Sequence, residues 1–481
     1  MATYAKRIVQ DFAGDLFMML ARLRRRKNTL TTSENPFLKG IHLPMKEQLS
    51  IGNLTTSGTI PSELAGSYLR IGPNPIQDKT DSEHHWFLGD GMVHGIHLKN
   101  GKAEWYKNRY IRSSAVCKAL GEKPPPGPRN GRFDTVNTNV LKHADKIWAL
   151  VEASSFPVEL DQNLNTISYN AFENTLKSSF SAHPKKDPET GNLHAIAYDA
   201  YEPSIVRHIE IGANGRVCRE QSIKVQNGPM IHDCAITKNF VIILDLPVTF
   251  SMRSALSGDT FPYRWNPSHQ SRVGLLPRGE IDGDVIWCSV DPCFVFHTVN
   301  SYEQEDGSIT LDVCCHDSMF SKSTQGPDSE TSFLERWIIH PKTRSVSRCV
   351  LDATSQEFPR YNESRTGTYY RYAYTVSAGL EHKSGDKKSR NCIIKHDLAN
   401  GSRQVRRLKH DQFPGEFTFV SKKECDQEDD GWLMGLIINA KSETTDFVIF
   451  EARDLRQDPI ATVSIPHMIP YGFHGNWCPD E

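Results

Sequence analysis

Four histidines stand out by local context: His183 in SAHPKKDP, His232 in MIHDCAIT, His297 in VFHTVN and His474 in YGFHGNW. Each lies next to an apolar or aromatic stretch and near a turn former or strand boundary. Their separations along the chain are 49, 65 and 177 residues. Helical metal motifs place ligands three or four residues apart, so these residues do not sit on one helix. They can converge only if the fold closes into a ring and each inner strand directs one side chain at a common axis. Neutral imidazoles suit zinc, copper, iron or nickel rather than calcium or magnesium. Four of them, with no carboxylate, would leave a divalent ion its full charge. An octahedral ion would keep two open positions, an arrangement suited to dioxygen chemistry. The competing reading is four unrelated histidines, surface-exposed or hydrogen-bonded in the core, as most of the 19 in the chain need be.

The elements needed for convergence are present in the pattern. After residue 37 the chain reads as short β-rich runs cut by turns. Examples are VIILDLPV (241–248), FVFHTVNSYE (294–303), SITLDVCC (308–315), NCIIKHDL (391–398) and GWLMGLIINA (431–440), with DPETGN, EDG, LANGS and DDG between runs. No long alternation of strand and helix argues for a parallel α/β sheet. A large all-β fold follows, and a propeller is its economical form, because radial blades leave only short edges. No fixed-period repeat accompanies it. The segment GEKPPPGPRNGRF (121–133) is too irregular for a strand and reads as a functional loop.

Composition narrows the classes. The 481 residues carry 56 basic and 58 acidic side chains, a net charge of −2 that gives no support to nucleic-acid binding. No apolar run is long enough to span a membrane. Eleven cysteines without a CxxC pair read as reduced thiols of a cytoplasmic protein. Residues 1–27 differ from the rest. Ile8, Phe12, Leu16, Met19, Leu20 and Leu23 form one helical stripe flanked by Lys6, Arg7 and the Arg22–Lys27 cluster. That arm either packs on the body or lies on a membrane surface as a peripheral contact. Residues 28–36 read as a polar linker. The expected division is therefore an arm and linker over 1–36 and one catalytic domain over 37–481.

Several ordered segments make a family resemblance visible. GSYLRIGPNP (67–76), HHWFLGDGMVHGI (84–96), VNTNVL (136–141), AHPKKDPETGNLH (182–194), MIHDCAIT (230–237), QEFPRYN (356–362) and IPYGFHGNW (469–477) resemble the carotenoid cleavage oxygenases. That family includes carotenoid and apocarotenoid dioxygenases, stilbene-cleaving dioxygenases and a retinoid isomerase. The resemblance implies a seven-bladed β-propeller with a loop and helix cap over a non-haem Fe(II) on the propeller axis. Its iron ligands fall on His183, His232, His297 and His474. Its outer glutamates, which orient three of those imidazoles, fall on Glu152, Glu357 and Glu416; a ligating imidazole that donates its other N–H to a carboxylate is fixed and made more basic. Thr138 matches a threonine whose methyl group shields an open iron position, although a plain strand threonine is an equal reading. Gly89 and Gly91 read as glycines needed for unusual backbone angles, and His85 and His94 as structural.

The implied activity is oxidative cleavage of a carbon–carbon double bond with O2 as co-substrate, giving two carbonyl fragments. Stilbene-cleaving relatives place a lysine before the first outer glutamate and a tyrosine on an upstream loop. Here the residue before Glu152 is Val151, and the 121–133 loop has no tyrosine. This favours a carotenoid or apocarotenoid substrate; a stilbene dioxygenase and a retinoid-isomerase-like enzyme are the alternatives.

Overall fold

Inner strands buried on both faces should read as continuous apolar runs, and outer strands should alternate. The computed structural model shows both patterns. Phe294–Glu303 is buried along nearly its whole length, whereas Val217–Lys224 alternates between exposed and covered positions. The structure describes residues 34–80, 84–130, 133–280, 283–329, 331–377, 391–423 and 425–480. The stripe of residues 1–27 lies outside them. The described residues form 32 strands, with two short α-helices, Ser114–Leu120 and Met252–Ser257.

The strands make an all-β, propeller-like arrangement of six sheets with four or more strands each and one two-stranded ribbon. Seven separate blades were expected, and the hydrogen bonding departs from that. One sheet holds eight strands, because Ser289, ending Ile286–Ser289, makes a single parallel pairing with Ser345. Two four-stranded antiparallel units are joined at that point, where Ser289 N–H donates to Arg344 O at 3.0 Å.

The two ends of the described chain interlock. The late strand Gly475–Pro479 pairs with Gly66–Pro73, and the early strand Thr55–Gly58 pairs with Ala461–Ile465. Ile60, Tyr68, Ile96 and Tyr106 then share an apolar cluster with Trp432, Met434, Phe447 and Val463. This seam closes the ring that the histidine spacing required. Asn35, at the end of the expected linker, is fully buried: its side chain donates to His84 O at 2.9 Å and accepts from Phe37 N–H. Phe37 stacks on Trp86, so the packed body begins before residue 37. All eleven cysteines are free.

Candidate metal centre

The four histidines arrive from four separate parts of the ring. His232 lies two residues before the strand Cys234–Ile236, His183 two before Lys185–Lys186, and His474 one before Gly475–Pro479. His297 lies inside Phe294–Glu303, where the pairing register shifts between Val295 and Thr298. A register shift of this kind re-aims a side chain that regular alternation would send elsewhere. All four rings are buried, and their candidate ligand atoms lie within 4.8 Å of one another. Nε2 of His297 stands 3.3 Å from Nε2 of His232 and 3.2 Å from Nε2 of His474.

Carboxylates fix three of these rings from behind. His232 Nδ1 is 2.9 Å from both oxygens of Glu152, His297 Nδ1 is 2.6 Å from Glu357 Oε2, and His474 Nδ1 is 3.0 Å from Glu416 Oε1. A carboxylate only accepts, so each Nδ1 carries the proton, and in the neutral ring Nε2 presents a bare lone pair. Nε2 atoms gathered at 3.2–3.3 Å, each with its Nδ1 tied back to a carboxylate, are placed to share one cation. His183 Nε2 is buried without a hydrogen-bond partner, as a ligand atom awaiting a metal would be. Burial holds His183 well below the usual imidazole range and lowers His474 to about 4, keeping both in the neutral, ligating form. At His232 burial also acts downward, but Glu152 outweighs it and raises the pKa. Burial pushes Glu416 up, yet Arg360 and His474 outweigh it and bring it to about 2. Glu357 is lowered in the same manner by His297 and His316. The donor set, four imidazoles of which three are backed by carboxylates, fits a transition-metal site.

The sequence model of the family described as "Retinal pigment epithelial membrane protein" matches residues 43–479. This chain belongs to the carotenoid cleavage oxygenase family. It is 38% identical to the carotenoid cleavage oxygenase of Mycobacterium tuberculosis, over 93% of this chain and 98% of that protein. It is 29% identical to the apocarotenoid-15,15'-oxygenase of Synechocystis, over 87% of this chain and 91% of that one. The crystal structure of cobalt-substituted Synechocystis apocarotenoid oxygenase superposes with a TM-score of 0.81 at 27% identity, covering 91% of this chain and 97% of that chain. The chain is an oxygenase of this family.

The oxygenase turns its carboxylates inward by breaking strand regularity. Ala153, directly after Glu152, has φ +59°, and Phe358, directly after Glu357, has φ +53°. Pairing registers also shift between Glu357 and Arg360 and between Pro414 and Phe417. Thr138 lies beside the cluster: its carbonyl accepts from His474 N–H at 3.3 Å and its hydroxyl donates to Asn137 Oδ1 at 2.9 Å.

Several functional neighbours escaped the sequence reading. His316 Nε2 lies 2.9 Å from Glu357 Oε1, and Arg360 Nη1 lies 3.4 Å from Glu416 Oε2. Arg360 sits in the quoted QEFPRYN segment, whereas nothing in the sequence marks His316. Phe296 meets His232 edge-on at 5.2 Å, and Phe358 lies over His297 at 5.5 Å.

The glycine expectation is corrected. Gly89 has φ −65°, and Gly91 is not among the positive-φ glycines. What they need is space: a Cβ on Gly91 would stand 1.8 Å from Val136 O. His94 bonds Tyr106 Oη at 2.9 Å, and His85 Nδ1 accepts from Phe87 N–H; neither joins the four-histidine cluster.

Proposed function

We propose that this oxygenase holds Fe(II) on His183, His232, His297 and His474 and uses O2 to cleave one C=C bond of a carotenoid or apocarotenoid into two aldehydes. The observation that carries the reading is the convergence of four buried imidazoles, three of them oriented by Glu152, Glu357 and Glu416. When bound, the iron supplies the redox chemistry by which dioxygen reacts with an alkene. The rest belongs to the chain. The three glutamates orient the imidazoles and offset the charge of an ion bound only by neutral ligands. Thr138 donates its hydroxyl to Asn137, and its methyl would then be free to shield the bound ion.

The neighbouring wall is aromatic. Phe296 and Phe358 touch the histidines, and Phe87 links Phe296 to Phe473 at 5.9 and 5.5 Å. A polyene offers nothing to hydrogen-bond, and such a wall suits it. Val151 packs against the apolar cluster of Leu69, Ile71 and Val93, where it can neither bind nor deprotonate a phenol. In the same reading each half of the eight-stranded sheet is one blade, which makes seven. The expected catalytic domain of residues 37–481 then extends back to take in Asn35, and the helices Ser114–Leu120 and Met252–Ser257 belong to its cap. The arm 1–27 provides a peripheral membrane contact for taking up an apolar substrate. Among the described residues no helix is long and apolar enough to cross a membrane.

The test is anaerobic loading with Fe(II), then incubation with apocarotenals, carotenoids and 4-hydroxystilbenes under labelled O2. Two labelled aldehydes from a polyene are expected. A geometric isomer without oxygen incorporation would replace this reading with isomerisation. Cleavage of the stilbene alone would overturn the substrate class and leave the metal site standing.

A further inference from the structure

Asp233 follows His232 directly and is almost fully buried, at 2% exposure. Its Oδ2 accepts three hydrogen bonds: from Thr298 N–H at 2.8 Å, Thr298 Oγ1 at 2.9 Å and Lys185 Nζ at 3.0 Å. Its Oδ1 accepts from Cys234 N–H at 2.7 Å. These partners are not scattered. Thr298 follows His297, and Lys185 lies two residues after His183. One carboxylate oxygen therefore ties together the segments carrying three of the four histidines.

The tie stands where no backbone ladder can serve. Cys234–Ile236 and Phe294–Glu303 lie at the two opposite ends of the eight-stranded sheet's strand order, so no ladder pairs them directly. Side chains stitch them instead: Thr298 Oγ1 also reaches Cys234 O at 3.1 Å, and Ser301 Oγ donates to Ile236 O at 2.7 Å. On the other side of the ring neutral amides do the linking. Asn139 Nδ2 donates to Ala182 O at 2.7 Å, and Asn476 Nδ2 donates to Asn139 Oδ1 at 3.0 Å. Asp233 is a charged tie, as Arg360 with Glu416 is beside His474, and hydrogen bonds to a buried carboxylate are short and strong.

We propose that Asp233 is a positioning residue of the metal site, fixing through Lys185 and Thr298 the spacing at which His183, His232 and His297 present their Nε2 atoms. This rests on the metal reading above. Asp233 makes no hydrogen bond to a ligand atom, and its four bonds go to the backbone and side chains of the segments that carry the histidines.

The test uses Co(II) as probe, titrated into metal-free full-length protein. Its ligand-field absorption reports geometry, and thermal unfolding of the metal-free protein reports the scaffold. Thr298→Val removes one donor and keeps the N–H; Lys185→Met removes another; Asp233→Asn removes the charge. The expected result is a Co(II) Kd raised about 10–100-fold in Asp233→Asn, the usual size for loss of an outer partner. Thr298→Val and Lys185→Met should show smaller rises of roughly 3–10-fold each, because the carboxylate and its remaining donors stay in place. All three should shift the absorption band, and in the two single-donor variants the Kd should rise by more than any fall in the melting temperature of the metal-free protein accounts for. If Asp233→Asn does not fold, those two variants decide. Wild-type Kd and spectrum in the folded variants would overturn the proposal. So would a Kd rise with an unshifted band that merely tracks lost stability. Failure of wild type to bind Co(II) would overturn the metal reading and this proposal together, whereas wild-type binding with indifferent variants overturns this proposal alone.

Discussion

Replacing Glu357 with glutamine isolates what a carboxylate does behind a ligating imidazole. Glu357 accepts three hydrogen bonds: from His297 Nδ1 at 2.6 Å and Phe358 N–H at 2.7 Å on Oε2, and from His316 Nε2 at 2.9 Å on Oε1. Glutamine has one acceptor oxygen and one donor NH2. Placing the oxygen at the Oε2 position keeps His297 and Phe358 and turns the NH2 toward His316. His316 can then accept at Nε2 only by carrying its proton on Nδ1, a buried atom without a partner. That penalty, about 1–3 kcal/mol, falls on the metal-free and metal-bound states alike, so it lowers stability and cancels from metal affinity. What differs between the two states is the strength of the His297 bond, because a metal on Nε2 makes the Nδ1–H more acidic and a charged acceptor then gains more than a neutral one. A bond to a charged acceptor is worth about 1.5–3 kcal/mol and a neutral one about 0.5–1.5. The difference, about 1–1.5 kcal/mol, is a 5–15-fold loss of affinity, and losing the carboxylate's attraction for the cation moves it toward 100-fold. The assay is calorimetric titration of Co(II) into metal-free wild type, Glu357→Gln and Glu357→Leu. Leucine leaves all three donors unanswered and should fall well below glutamine in both affinity and stability. Wild-type affinity in Glu357→Gln, or indistinguishable Gln and Leu variants, would refute the orienting role.

Three further outcomes are expected. His232→Ala should abolish metal binding and turnover, because it removes a ligand and leaves Glu152 facing a cavity; metal content by elemental analysis checks it. Gly127→Ala should lower the melting temperature more than Gly121→Ala: both glycines have positive φ, +106° and +71°, but a Cβ at 127 would stand 1.9 Å from Tyr169 O whereas nothing lies within 4 Å at 121. Strain alone is worth about 1–3 kcal/mol, so equal destabilisation would show that the backbone of the 121–133 loop relaxes. Deleting residues 1–27 should leave a folded, metal-binding enzyme that sediments less with anionic vesicles; an aggregating truncation would show that the arm is packed structure.

Much of this fold could be read from pattern. The run 294–303 is a strand with those bounds, and 308–315 and 431–440 are displaced by a residue or less at either end. The four histidines could be named from context, but their convergence depends on ring closure, which local pattern cannot express. Glu152, Glu357 and Glu416 look like ordinary charges in isolation and were marked by resemblance alone. The merging of two units at Ser289 and Ser345 depends on where two strand ends meet. Asn35 reads as linker because its polarity is visible and its partner, His84 O, is not. His316 and Asp233 were missed for the same reason, since their meaning lies in residues 41 and 65 positions away.

The places where pattern reading fails share a cause. A regular strand sends successive side chains to opposite faces, and a metal site at the hub needs particular side chains turned inward at particular depths. The oxygenase meets that need by breaking regularity at 295–298, 357–360 and 414–417, and by holding Ala153 and Phe358 at positive φ. Each non-glycine residue in that conformation costs about 1–3 kcal/mol, and it persists only where its surroundings over-determine it. At Phe358 the surroundings include the carboxylate itself, since Glu357 accepts the N–H of Phe358 at 2.7 Å. The same carboxylates turn the Nε2 atoms of His232, His297 and His474 toward one another. A cation held there binds the folded hub alone, so metal binding and stability are linked, with about 2.7 kcal/mol gained when free metal stands at 100 times its Kd. The irregularity that hides this site from sequence pattern is the same feature that makes it a site.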